Sequence, residues 1–132
     1  MRNSARAGIG LAAACAASLA GAAPPAAAPV MIGGDELTDA CATLAMPAGL
    51  KPGGDNFLSL RAGPGAAYRE TARLTGADRL LVCGARGGWS AVVVRAAGRD
   101  CGVSSPRPTR GAYRGPCRSG WVASRFLHIL AG

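Results

Sequence analysis

Histidine and lysine each occur once, at His128 and Lys51, aromatic side chains number six, and seven acidic groups face fifteen basic ones in 132 residues. Each shortage narrows the chemistry. His128 lies in the apolar stretch 126–130 with no titratable neighbour supplied by sequence, so it reads as a strand-edge residue and no catalytic constellation is identified. The chain has no close CxxC pair: the gaps between Cys41, Cys83, Cys101 and Cys117 are 42, 18 and 16 positions, which argues against a zinc site. No stretch beyond about ten residues keeps helical periodicity without glycine or proline. With 20 glycines and 9 prolines, a helical bundle is disfavoured and an all-β fold of short strands is expected. Length limits the rest, because a chain of this size holds one small domain.

The N-terminus has a different character. Residues 1–28 contain thirteen alanines, with Arg2 and Arg6 at the start, an uncharged stretch through Ile9, Leu11 and Leu19, and then Ala20-Gly21-Ala22. A basic end, a short apolar centre and small residues at the cut describe a secretory signal peptide over residues 1–22. Two other uses of the segment carry less weight. A retained membrane anchor is opposed by Pro24, Pro25 and Pro29, and a lipidated Cys15 by Ala12 three residues before it and a very short apolar run. Processing leaves no membrane span and four cysteines, an even number that reads as two disulfides in a periplasmic or secreted protein. The net charge falls from +8 to +6, from 13 basic and 7 acidic residues.

Residues 23–54 contain no aromatic side chain and are punctuated by proline and glycine. They are expected to form a linker, with one short ordered stretch around residues 41–44. The packed domain is expected over residues 55–132, where all six aromatics fall. There, 57–61 alternates with Leu58 and Leu60 on one face, 79–83 is a short apolar run, and 89–94 is a β-branched strand entered through Gly87-Gly88, a natural tight hairpin. The segments 120–124 and 126–130 read as a final strand interrupted by a single helical turn. The candidate core is Leu58, Leu60, Leu74, Leu80, Val82, Val92, Val122 and Leu127, with Trp89 and Trp121 plugging the ends of a small closed barrel.

Phe57-Leu58-Ser59-Leu60-Arg61-Ala62-Gly63-Pro64-Gly65, then Tyr68, then Gly87-Gly88-Trp89, then Ser119-Gly120-Trp121-Val122 together resemble the bacterial SH3-like domain of exported proteins, over about residues 56–130. The resemblance implies a five-stranded barrel and a non-enzymatic module that recognises peptidoglycan or an envelope peptide. It places the binding groove between the loop after Gly63-Pro64-Gly65 and the GGW hairpin, with Arg61, Tyr68, Arg86 and Tyr113 as contact residues. Cysteine peptidases of the cell wall often carry such domains, but their catalytic domain has no room here.

The chain departs from that family where 24 residues, 95–118, replace a short hairpin before Ser119. A Cys101–Cys117 bridge would close the base of this insert and leave Cys41 for Cys83, pinning the N-terminal segment across the barrel; the two other pairings remain open at this level. Between Arg95 and Arg125 there are seven arginines and one acid, Asp100. Arg107, Arg110 and Arg114 around Tyr113 therefore form a candidate docking surface for an anionic surface or acidic protein. Export disfavours nucleic acid as the partner, and no cofactor is implied.

Overall fold

The computed structural model describes residues 8, 10, 12, 22–54 and 56–132. The expected signal peptide, Cys15 included, lies almost wholly outside them. The described chain is all-β. In chain order the strands are β1 (Met31–Ile32), β2 (Asp35–Asp39), β3 (Thr43–Pro47), β4 (Leu58–Arg61), β5 (Glu70–Leu74), β6 (Leu80–Arg86), β7 (Trp89–Val94), β8 (Pro106–Arg107), β9 (Gly111–Ala112), β10 (Ser119–Ala123) and β11 (Leu127–Ala131), with one 3-10 turn at Ser124–Phe126. Seven of them make an antiparallel sheet in the order β11-β3-β6-β7-β10-β4-β5, and β1-β9 and β2-β8 form two small ribbons.

Side-chain alternation splits the interior into two cores, one on each face of this sheet. The inner core holds Leu58 and Leu60 from β4, Leu74 from β5, Leu80 from β6, Val92 and Val94 from β7 and Val122 from β10, with Val82, Phe126 and Leu127 packed against it. Every residue expected in the core therefore lies in or against this cluster. Leu74 and Leu127 come from opposite ends of the strand order, so the sheet coils around one apolar centre. It stays open, because among the described residues β5 and β11 are not paired with each other. A closed five-stranded barrel was expected; two further strands, β3 and β11, instead extend the sheet beyond β6.

The outer core is a layer of two segments laid on the other face. Val30, Ile32, Ala40 and Cys41 from the N-terminal segment and Cys101, Val103 and Cys117 from the insert pack on Ala91, Val93 and Trp121. This corrects the linker expectation for residues 23–54, which supply β1, β2 and β3 as well as buried side chains. β1 has only two residues and β2 is exposed throughout, so neither carries an alternation signal, and β3, foreshadowed only as a short ordered stretch around residues 41–44, finds its partners in β6 and β11 far along the chain. Trp121 is corrected too. Val122 takes the inward position on β10, so alternation sends Trp121 to the outer core, where its Nε1 donates to the Ala28 carbonyl at 2.8 Å. Trp89 is half-buried and also packs on the outer side.

Two disulfides fasten this layer, Cys41–Cys83 and Cys101–Cys117. The pairing is the one suggested by the insert. β6 bulges between Val82 and Gly84, and the bulge residue is Cys83. Ordinary alternation puts Cys83 on the outer face with Leu81 while Leu80 and Val82 face inward; the bulge shifts the register just beyond it, leaving Cys83 outside the ladder. The β6–β7 turn also follows expectation: Gly87 and Gly88 have φ of 45° and 61°, the pair of positive angles that a two-residue hairpin of this hand requires.

Candidate functional site

A groove of about 730 Å³ opens on the sheet at the Gly87-Gly88 end of the β6–β7 hairpin. Five chain segments build it. Phe57, Ser59 and Arg61 come from β4 and its approach, Ala66 from the β4–β5 loop, Gly88 and Trp89 from the hairpin, and Ser124, Arg125 and Phe126 from the 3-10 turn, while Lys51 stands on the loop after β3. The loop after Gly63-Pro64-Gly65 contributes Ala66 to the groove, and the GGW hairpin contributes Gly88 and Trp89.

The lining combines flat apolar surface with positive charge. Phe57, Trp89 and Phe126 provide rings, Lys51, Arg61 and Arg125 provide cations, and no carboxylate among the described residues lines the groove. Arg61 is held in place, since its Nη1 donates to the Tyr68 carbonyl at 3.0 Å. Arg125 lies over the Phe126 ring at 4.8 Å. Nearby, Ser59 donates a hydrogen bond to Glu70, and the Arg73 guanidinium, 2.7 Å from Glu70 and 4.2 Å above the Phe57 ring, supports the same edge. These bonds, Arg73 first and then Ser59, hold the Glu70 carboxyl below its ordinary value of 4.5. Such a surface suits a ligand with carboxylate or phosphate groups on a scaffold that offers apolar faces, as sugars and peptides do.

The expected contact residues separate. Arg61 lines the groove. Tyr68 packs under the loop, its ring so close to Gly63 that a Cβ there would stand 2.2 Å from it. Arg86 lies over the Trp121 ring at 5.5 Å. Tyr113 braces the insert, its hydroxyl donating to the Cys101 carbonyl at 2.7 Å and accepting from the Cys117 amide at 3.2 Å. Lys51, Phe57, Trp89 and Arg125 were not among the expected contacts. Phe57 and Trp89 stand inside the motif blocks, which was the available signal, and no local pattern marks Lys51 or Arg125.

Arg107, Arg110 and Arg114 are all exposed, and among the described residues no hydrogen bond or ion pair engages their side chains. Their surface is not uniformly basic, because β2 pairs with β8 and sets Asp35 opposite Arg107 in register. Asp35 itself accepts from the amides of Leu37 and Thr38 and from the Thr38 hydroxyl, which keeps its carboxyl below the ordinary value. His128 is exposed on β11, opposite Met46 in register. The described residues contain no cluster of three or more His, Cys, Asp or Glu able to hold a metal ion and no helix long and apolar enough to cross a membrane.

Comparison of the chain with family models, curated proteins and solved structures returns no match.

Proposed function

We propose that the protein is a non-enzymatic exported binding module of the bacterial SH3-like kind, which recognises peptidoglycan or an acidic envelope peptide in the groove beside Trp89. The observation that carries this reading is the convergence of three rings and three cations in one groove, which Ala66 of the β4–β5 loop and Gly88-Trp89 of the hairpin also line. The SH3-like assignment is further supported by the contiguous strands β5-β4-β10-β7-β6, which bear the three motif blocks. Two disulfides fit an oxidising compartment outside the cytoplasm.

Retention on purified cell-wall sacculi tests the reading. The disulfide-intact protein is expected to bind at physiological salt, and the variant Arg61→Ala with Arg125→Ala to bind about tenfold more weakly, the loss of charge-assisted contacts. No retention of the unaltered protein counts against it.

A second reading is favoured by the exposed, unengaged side chains of Arg107, Arg110 and Arg114: the insert docks an acidic protein. Replacing all three with serine is then expected to abolish co-purification of that partner while leaving thermal stability unchanged.

A further inference from the structure

The far end of the β6–β7 hairpin carries a second concavity, of about 610 Å³, formed where the turn 95–99 faces the turn before β6. We infer that it is a phosphate-binding site built from Arg79, Arg95 and Arg99. The Arg95 amide donates to the Arg79 carbonyl at 2.9 Å, so the two arginines continue the β6–β7 ladder as direct neighbours just beyond the pair Leu80 and Val94. Like charges placed opposite each other on adjacent strands destabilise the pairing. Arg99 adds a third guanidinium from the turn closed by its own amide on the Ala96 carbonyl.

The single carboxylate in the cleft is Asp78. Its Oδ2 accepts from the Thr75 amide at 2.7 Å, and no ion pair joins it to these arginines. Arg79 is pre-positioned, its Nη1 donating to the Gly76 and Asp78 carbonyls at 3.0 and 2.9 Å. Its Nε and Nη2 protons remain to donate, since a guanidinium carries five N–H groups. Three cations against one anion leave two positive charges, the complement of a phosphate dianion. Phosphate fits better than carboxylate because a carboxylate occupies one arginine fork, whereas a tetrahedral oxyanion presents oxygens to several donors at once. Alanine and glycine form the rest of the wall, at Ala77, Ala96, Ala97 and Gly98, so no bulky side chain fills the cleft. Strand β6 separates this site from the ring-lined groove by about 20 Å at the usual rise per residue, and the two sites stand or fall separately.

The test is a nuclear magnetic resonance titration of the disulfide-intact protein with inorganic phosphate at constant ionic strength, following arginine Nε–Hε signals. Saturable shifts confined to Arg79, Arg95 and Arg99 are expected. Arg95→Gln with Arg99→Gln should weaken binding at least about tenfold, and Arg69→Gln should leave it within about twofold, because that exposed arginine lies outside the cleft. Shifts spread over all arginines, or an unchanged affinity in the first variant, overturn the site. Vesicles of phosphatidylglycerol then separate the sources of the phosphate. Retention lost in the first variant identifies a lipid headgroup, and phosphate binding without retention identifies a soluble phosphate or phosphate ester.

Discussion

Gly63 and Glu70 show how much of the groove's wall depends on single atoms. The Tyr68 ring occupies the space that a Cβ on Gly63 would need, and overpacking of this kind costs about 1–3 kcal/mol. Gly63→Ala is expected to lower the free energy of unfolding by that amount in chemical denaturation, and a value equal to that of the unaltered protein would mean that Tyr68 is free to move. Glu70 acts through charge. Its carboxyl is depressed in the folded state by Arg73 and Ser59, so its contribution is present above the unfolded value of 4.5 and is lost as pH falls through the lower folded value. Urea midpoints measured on either side of pH 4.5 should therefore converge for Glu70→Gln and the unaltered protein at the acid end, and separate above it.

At the scale of elements, both disulfides fasten the outer core and leave the inner one to packing alone. Cys41–Cys83 spans 42 positions and Cys101–Cys117 spans 16, for which loop-closure entropy gives about 4 and about 3 kcal/mol respectively. Replacing Cys41 and Cys83 with serine is expected to lower stability by an amount of that order. Amide exchange should rise first in residues 30–41 and only later in β4, β7 and β10, whose inner faces do not depend on the bridge. Equal acceleration in both layers would show that the cores are one cooperative unit. The elements legible in sequence were those with local signals: the alternating β4, the Gly87-Gly88 hairpin, the β-branched β7 and the turn that interrupts the last strand pair. β1 was missed because its burial is supplied from far along the chain, β2 because it is exposed throughout, and β5 because Glu70–Leu74 carries three polar residues in five; β3 was foreshadowed only as a short ordered stretch around residues 41–44. For the groove, Arg61 was legible from its motif, whereas Arg125 and Lys51 reach it through the 3-10 turn and the loop after β3, which no local pattern reports.

At the scale of the molecule, the described residues form a seven-stranded sheet covered on both faces, with two small ribbons in the outer layer and a cation-lined concavity at each end of the central hairpin. β7 is buried along almost its entire length because the N-terminal segment and the insert shield the face that an open sheet would otherwise show to water. The extra layer explains how a small domain with six aromatics acquires a second core, and why its basic insert is tethered at the base. The ring-lined groove is left uncovered by that layer, and its recognition of an envelope ligand is the central claim. Chemical-shift mapping with soluble peptidoglycan fragments addresses it most directly. Saturable perturbations centred on Lys51, Arg61, Trp89 and Arg125 are expected, and perturbations centred instead on Arg107, Arg110 and Arg114, or none at all, would refute binding in the groove.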